Sequence, residues 1–404
     1  MKKQMTLSLR SKGDRWNESE DSIDPITLRS VRRYTNRGLF NTTPTYHTNI
    51  AFTSDGKEFV FARGSEEGQS AVFKASVESG EITQLIDPVD GIGHWASIQV
   101  KMRSRYGDGK GISGPAMCLA PKSKWLAYYV GRSLRLVHLD TLEEKVLIED
   151  LGIEWMAGVI SINPSETHCI VPLKPAHPDY VAGREQRCHY NQAFTEGGMR
   201  MRLLEFSFED GTSRIVYEEE GMGCAHCPHS PVDDDLVIID RDFPGETPRE
   251  ITRNWILHLP TGQKTELRPQ NRHRFQTHTA WTPDGKRIVY HGRAYGGGWF
   301  IGAMERDGTV IREWAFPQDY YGHVSVAPDR PAIVLDGNLT EGQLLWLYYD
   351  QEQPRVEIIA GHHTDWKGCP GQLPHPHPHT DPTCSRILFN VCRIDRTDVQ
   401  TVEL

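Results

Sequence analysis

A short pattern of polar and apolar residues recurs seven times along the chain. Each copy starts with a few alternating residues, passes through a polar turn that resembles Ser/Thr-Pro-Asp-Gly, and ends in an apolar run. This order is typical of two consecutive antiparallel strands. The copies read NIAFTSDGKEFVFA, MCLAPKSKWLAYYV, ISINPSETHCIVPL, CPHSPVDDDLVIID, AWTPDGKRIVYHG, VSVAPDRPAIVLDG and HTDPTCSRILFNV.

The spacing of the seven turns, 43 to 67 residues, suits the blades of a β-propeller. The turn residues are Ser54, Pro121, Pro164, Pro231, Pro283, Pro328 and Pro382. Between the copies, segments such as LRLVHLDTLEEKVLI contain two β-rich runs joined by a polar turn, as in the outer hairpin of a blade. The pattern predicts an all-β, seven-bladed β-propeller with four-stranded antiparallel blades around a central channel. A β-sandwich or two unrelated β domains are the alternatives.

The 404 residues are enough for one propeller, so we expect a single domain. Residues 1–40 would form an N-terminal strand or rim segment, and residues 41–404 would form the seven blades. The long intervals near 64–113 and 174–223 leave room for insertions over one mouth of the channel.

One position of the repeat carries histidine in four consecutive copies. The first strand of each blade lines the channel of a propeller, so side chains at a fixed distance before the turn form a ring. Five residues before the turn, the second and third copies have Ala116 and Val159. The last four copies have His226, His278, His323 and His377. A single histidine there is more often structural, but four favour a shared role in the channel.

The seventh copy follows the segment GQLPHPHPH, in which His375, His377 and His379 alternate with prolines. Proline favours extended backbone, and a period of two would place the three imidazoles on one face of an extended strand. Because proline has no N–H donor, the strand edge on which the three prolines lie cannot pair with another strand. The channel-facing edge of an innermost strand is free in this way. A solvated loop or an adventitious metal-binding tract is the alternative.

The imidazoles of His323, His375 and His377, with the side-chain carbonyl of Gln372, would form a mixed nitrogen and oxygen ligand set. Such a set suits Mn²⁺, Zn²⁺, Ni²⁺ or Fe²⁺. We expect His226 and His379 to lie outside the coordination shell.

The other chemical signals are weak or absent. Cys224 and Cys227 form a single CxxC with no second pair, and we expect both to be packing residues. The eight cysteines are scattered through a large chain, which suits reduced thiols and a cytoplasmic protein without a signal peptide or membrane span. A net charge of −9 without a basic block argues against nucleic acid or a membrane as partner. No GxSxG or Walker A motif is present.

The chain resembles the oligogalacturonate lyases, a cytoplasmic family of seven-bladed propellers that cleave short pectin fragments by β-elimination. The resemblance runs over most of the chain. It rests on the segments ITRNWIL, QTHTAWTPDG, YGHVSVAPD with VLDG after it, and Gln372-Leu-Pro-His375-Pro-His377.

The resemblance assigns roles to particular residues. It implies a divalent metal, usually manganese, held by His323, Gln372, His375 and His377. It also implies that His278 is the base and that Arg253 lies near the proton being removed.

Together these features predict a metal-dependent carbon–oxygen lyase of pectin catabolism whose partner is a small anionic oligosaccharide. The expected substrate is a short oligogalacturonide of the digalacturonate type, and the products are 4,5-unsaturated uronides or ketouronates. Further candidates for substrate contact are His226, Tyr320 and Tyr321. The alternatives are a lyase for another uronic-acid oligosaccharide, for example one that contains glucuronate, and a non-catalytic propeller that uses the metal structurally and binds a partner.

Overall fold

The computed structural model describes residues 9–38, 40–42, 45–91, 93, 110–175, 200–221, 223–241, 252–271, 273–294, 298–316, 322–337, 342–350, 352–353, 355–364, 375–393 and 396–404. The regular structure in this part of the chain is β-strand, arranged as seven blades in a ring. The predicted seven-bladed β-propeller is therefore confirmed. The same residues form no helix with the length and apolar character that a membrane crossing requires.

The N-terminal segment and the first blade contain eight strands. They are β1 (Arg15–Asn17), β2 (Glu20–Ile23), β3 (Ser30–Arg33), β4 (Phe40–Thr42), β5 (Glu58–Gly64), β6 (Gln69–Ser76), β7 (Glu81–Gln84) and β8 (Val89–Asp90). Strands β4 to β7 follow one another across the sheet, and β1 pairs with the outer side of β7.

The second to fourth blades follow in chain order. The second contains β9 (Cys118–Leu119), β10 (Trp125–Val130), β11 (Ser133–His138) and β12 (Glu144–Ile148). The third contains β13 (Trp155–Ala157), β14 (Ser161–Ile162), β15 (His168–Pro175), β16 (Arg200–Ser207) and β17 (Ser213–Glu220). The fourth contains β18 (Leu236–Asp240), β19 (Asn254–His258) and β20 (Gln263–Glu266). Its innermost segment forms isolated bridges from His229 to Val237 of β18 and from Cys224 to Arg241, directly after β18.

The last three blades complete the ring. The fifth contains β21 (Arg274–Trp281), β22 (Arg287–Ala294), β23 (Gly298–Glu305) and β24 (Val310–Phe316). The sixth contains β25 (Val324–Val326), β26 (Ala332–Leu335), β27 (Gln343–Tyr348) and β28 (Arg355–Gly361). The seventh contains β29 (His379–Thr380), β30 (Arg386–Arg393) and β31 (Arg396–Glu403).

Each of the seven predicted turns joins the innermost strand of a blade to the second strand. The residue before the turn donates its backbone N–H to a carbonyl at the start of the second strand. These pairs are Thr53 with Glu58, Ala120 with Trp125, Asn163 with His168, Ser230 with Leu236, Thr282 with Arg287, Ala327 with Ala332, and Asp381 with Arg386. The predicted outer hairpin LRLVHLDTLEEKVLI corresponds to β11 and β12.

The two segments expected to carry rim insertions also contain blade strands. Strands β6 to β8 lie within 64–113, and β16 and β17 lie within 174–223. Residues 94–109 and 176–199 lie outside the described residues, so insertions there stay a prediction.

The ring is closed by strands from both chain termini. Strand β3 pairs with β31 in the seventh blade, while β1 pairs with β7 in the first blade. The C-terminal strand β31 is therefore the third strand of its blade, and β3 and β2 follow it towards the outside. Between the two pairings, a buried ion pair joins Glu18 to Arg63 of β5. The N-terminal segment thus protects strand edges in both neighbouring blades.

Apolar side chains fill the space between neighbouring sheets. Phe59 and Phe61 of the first blade share a buried cluster with Leu126 and Val137 of the second. The fifth and sixth blades share another cluster, which holds the backbone around His323 in place from outside the channel. This packing leaves the polar side chains of the innermost strands inside the ring.

Candidate metal centre

The four histidines predicted at one channel position meet around a single aromatic ring, that of Tyr46. The Tyr46 ring centroid lies 4.3 Å from that of His226, 5.8 Å from His278, 5.1 Å from His323 and 5.6 Å from His377. The His226 and Tyr46 rings are stacked, with an angle of 8° between their planes. The fourth to seventh blades therefore contribute their histidines to one buried site.

Residues 45–49 connect this site to blades on several sides of the channel. Asn49 donates its side-chain N–H groups to the carbonyls of Met117 and Ile160, at 2.9 and 2.7 Å. His47 Nδ1 lies 2.7 Å from the carbonyl of Val324 in the sixth blade. The segment therefore crosses the channel and supplies the ring of Tyr46 at its centre. Sequence reasoning missed Tyr46 and His47, because neither repeats in other blades.

His323, His375 and His377 bring their ring nitrogens together. One nitrogen from each lies within 4.8 Å of the others, and all three side chains are buried. Within the described ranges, this is the one group of three or more His, Cys, Asp or Glu side chains with metal-binding geometry. Imidazole is a ligand for first-row divalent ions, so the three residues fit such a metal. Gln372, the predicted fourth ligand, lies outside the described residues.

The His-Pro run is not an extended strand, contrary to expectation. His377 has φ of 42°, in the left-handed region, and β29 begins at His379. His379 Nε2 instead lies 2.9 Å from Thr45 Oγ1, away from the three converging imidazoles. The left-handed residue turns the chain, so period-two alternation does not apply. The Pro376 carbonyl accepts the backbone N–H of Asn390, which fixes the turned segment to the second strand.

Asp336 orients His323. Its two carboxyl oxygens lie 2.7 Å from the His323 backbone nitrogen and 2.8 Å from Nδ1. With Nδ1 engaged by the carboxyl group, Nε2 is the nitrogen that can bind a metal, as in carboxylate–histidine–metal arrangements. Burial raises the pKa of Asp336 and lowers that of His323. Burial also lowers the pKa of His375 to about 3, which keeps its imidazole in the neutral, coordinating form.

His278 lies beside the three imidazoles but has different partners. Its Nδ1 is 2.7 Å from the Gly322 carbonyl and 2.8 Å from His291 Nε2, and its ring centroid is 4.6 Å from that of His323. The Gly322 carbonyl only accepts hydrogen bonds, and it also lies 2.6 Å from His291 Nε2. In the tautomer with a proton on Nδ1, His278 donates to this carbonyl and keeps its lone pair on Nε2. Burial is the main reason that the pKa of His278 is well below its ordinary value, and the neighbouring His291 lowers this pKa further.

Arg253 is bound to a buried carboxylate. Its Nε and Nη2 atoms donate to the two oxygens of Asp240 at 2.6 and 2.9 Å. Asp240 Oδ2 also lies 2.7 Å from His226 Nδ1. Burial would raise the pKa of Asp240, but Arg253 and His226 together hold it below its ordinary value. Asp240 is thus an ionised link between two of the predicted site residues.

The partners of three channel histidines occupy one position, within the second strand of the blade or directly after it. His291 and Asp336 lie 13 residues after their histidines, and Asp240 lies 14 residues after His226, where the turn is longer. Sequence reasoning missed these partners. Their constant spacing from the ring position is the signal that could have found them.

The remaining sequence predictions divide into two groups. Cys224 and Cys227 are buried in an apolar cluster with Ile170 and Val237, so both are packing residues, as predicted. Tyr320 and Tyr321 lie outside the described residues, so their contact with substrate stays a prediction.

No family model and no curated protein sequence matches the chain. Among solved structures, an oligogalacturonate lyase in complex with manganese aligns with a TM-score of 0.77 and 21% identity, over 98% of each chain. An oligogalacturonate lyase from Vibrio parahaemolyticus aligns with a TM-score of 0.78 and 19% identity, over 97% of this chain and 98% of that one. The chain shares the fold of these lyases.

A third structure shows how far the fold similarity extends. The hydrazine synthase of Kuenenia stuttgartiensis aligns with a TM-score of 0.56 and 12% identity, over 88% of this chain and 95% of that one. Propellers with different activities therefore resemble the chain, and its activity must be argued from the site.

Proposed function

We propose that the protein is a metal-dependent lyase that cleaves short oligogalacturonides by β-elimination. The observation that carries the proposal is the convergence of three imidazoles, those of His323, His375 and His377, beside the neutral imidazole of His278. The full-length fold similarity to two oligogalacturonate lyases supports the same substrate class.

His323, His375 and His377 would hold the metal, with Gln372 as the proposed fourth ligand. Bound there, a divalent ion would act as a Lewis acid on the uronate carboxylate, with a contribution of several kcal/mol. The manganese complex of the similar lyase supports Mn²⁺ as this ion. Asp336 keeps His323 in the orientation that directs Nε2 towards the other two imidazoles.

His278 would take the proton from C5 of the uronide. With its proton on Nδ1, which lies 2.7 Å from the Gly322 carbonyl, His278 would present the lone pair on Nε2 as the basic site. The lowered pKa keeps His278 unprotonated at neutral pH, and a positioned base of this kind contributes about 10²–10⁴-fold in rate. No water is consumed, because the C4–O bond breaks as the double bond forms.

Arg253 would supply a fixed positive charge next to this base. The salt bridge to Asp240 holds the guanidinium in one orientation, and its charge contributes to the low pKa of His278. A cation at this place would also attract an anionic oligosaccharide. The proposed substrate contacts of His226, Tyr320 and Tyr321 would complete the site.

The test is an elimination assay on protein stripped with a chelator and then reloaded with Mn²⁺. We expect digalacturonate and trigalacturonate to give the ultraviolet absorbance of a 4,5-unsaturated product, and the stripped protein to give none. Product from a glucuronate-containing oligosaccharide but not from galacturonides would favour the other uronide lyase. No product from any uronide, with metal bound, would favour a binding module.

A further inference from the structure

A small cavity in the channel is lined by two histidines of different character. His226 and His278 both face it, together with Tyr46, His47 and Asp240. The proposed function uses only His278 for proton transfer. Elimination also generates an oxygen anion on the departing sugar, and nothing assigned so far protonates it.

The hydrogen-bond partner of His226 determines which of its nitrogens can exchange a proton. Asp240 Oδ2 lies 2.7 Å from His226 Nδ1, and the lowered pKa of Asp240 keeps this carboxyl group ionised. An ionised carboxylate only accepts hydrogen bonds, so Nδ1 carries a proton. The second proton of an imidazolium form would therefore be on Nε2.

The surroundings of His226 differ from those of His278 in the sign of charge. His226 contacts a carboxylate, whereas the Nδ1 partners of His278 are an uncharged carbonyl and an imidazole. The groups near His226 also include Tyr46, stacked on its ring, and His47 and His278, which line the same cavity. The charge of the nearby Arg253 is paired with Asp240. A bound uronide would add further negative charge to these surroundings.

We propose that His226 is the proton donor to the oxygen that leaves C4, a role that rests on the proposed lyase function. The C5–H bond breaks and its proton passes to Nε2 of His278, while the electron pair forms the C4–C5 double bond. The C4–O bond breaks, its electron pair stays on the oxygen, and that oxygen takes the Nε2 proton of His226. Proton exchange with water then restores both histidines. Arg253 does not serve as donor, because a guanidinium does not lose its proton in proteins.

The experiment compares two leaving groups in the metal-loaded enzyme. Digalacturonate releases a sugar oxygen that needs a proton, whereas a galacturonide with a nitrophenoxy group at C4 releases a stable phenolate. We expect His226→Gln to lower kcat on digalacturonate by about 10²–10⁴-fold and on the nitrophenoxy substrate by less than about tenfold. Asp240→Asn should likewise lower kcat on digalacturonate more than kcat on the nitrophenoxy substrate.

His229→Gln is the matched control, because His229 is buried in the same segment but binds Ser161 Oγ, at 2.8 Å, and does not line the cavity. It should leave both rates unchanged. Equal losses on the two substrates in His226→Gln, with metal content intact, would assign His226 a structural role and overturn the inference alone. Wild-type protein that is inactive on both substrates would overturn the proposed function together with it.

Discussion

The innermost strands of the propeller use the same backbone position in two ways. In the first three blades this position holds Asn49, Ala116 and Val159, whose side chains are all buried. Ala116 and Val159 pack, and Asn49 binds two backbone carbonyls. In the last four blades the position holds histidines, three of which have a side-chain partner in the second strand.

The difference shows what a buried polar site requires of the fold. An imidazole away from water needs a hydrogen-bond partner, and the second strand supplies Asp240, His291 or Asp336 at the matching register. The first three blades need no such partners. They anchor residues 45–49, which carry Tyr46 into the histidine half of the ring. The first three blades thus support residues 45–49, and the last four blades carry the proposed site.

The largest expected effect is the loss of a proposed metal ligand. His375→Ala should remove the bound metal and lower the elimination rate by at least about 10³-fold, because several kcal/mol of charge stabilisation disappear. Elemental analysis and the elimination assay would measure both. The control is His379→Gln, since His379 binds Thr45 instead. Full metal occupancy in His375→Ala would contradict the ligand set.

The next effect separates the proposed base from the ligands. His278→Ala should keep the metal and lower kcat by about 10²–10⁴-fold, because proton removal depends on a positioned base. Metal content and steady-state kinetics measured on the same sample would distinguish the two roles. If the metal is lost as well, His278 belongs to the ligand set.

A smaller effect is expected at the second-strand partner of a ligand. Asp336→Asn should weaken metal binding by about 10–100-fold, because the carboxyl group orients His323. Competition with a fluorescent chelator would measure the affinity. Asp240→Asn is the comparison variant and should leave metal affinity unchanged. If both substitutions weakened metal binding equally, the loss in Asp336→Asn would not be specific to the partner of His323.

The histidine half should also make the metal-free protein sensitive to acid. Burial lowers the pKa of His375 to about 3 and that of His379 to about 4, from 6.5. The unfolded chain therefore binds more protons below pH 6.5, so stability falls as the pH drops from 6.5 towards 4. At pH 5, His379 alone would contribute on the order of 1–2 kcal/mol of this loss.

Chemical denaturation of the metal-free protein across this pH range would measure the slope, and His379→Gln should reduce it. An unchanged slope would mean that His379 titrates equally in the folded and unfolded chains. His138 lies on the outer hairpin of the second blade, and His138→Gln serves as the control outside the channel.

The smallest effect is expected in the first three blades. Asn49→Ala leaves the buried carbonyls of Met117 and Ile160 without its hydrogen bonds, which should cost about 1–3 kcal/mol of unfolding free energy. Metal affinity should change little. Ile50→Ala, at a position that is 47% exposed, is the control for truncation. A large loss of metal affinity in Asn49→Ala would show that the two halves are coupled.

The sequence by itself determined the blades and the histidine ring. A turn and its two flanking strands depend on neighbouring residues, so the pattern around Pro283 or Pro328 predicts a local hairpin wherever it occurs. Repetition of that hairpin then implies a ring and a common channel position. For this reason the repeat pattern alone is enough to place His278 and His323 in the channel.

Only the tertiary structure decided how these histidines are partnered and how the ring closes. His47 meets the Val324 carbonyl across 277 residues of chain, and β3 closes the seventh blade from the opposite terminus. Such contacts depend on which strands become neighbours after folding, so no local pattern encodes them. The left-handed backbone of His377 also depends on tertiary contacts. The surrounding prolines favour extended backbone, but hydrogen bonding to the second strand holds the segment in its turned conformation.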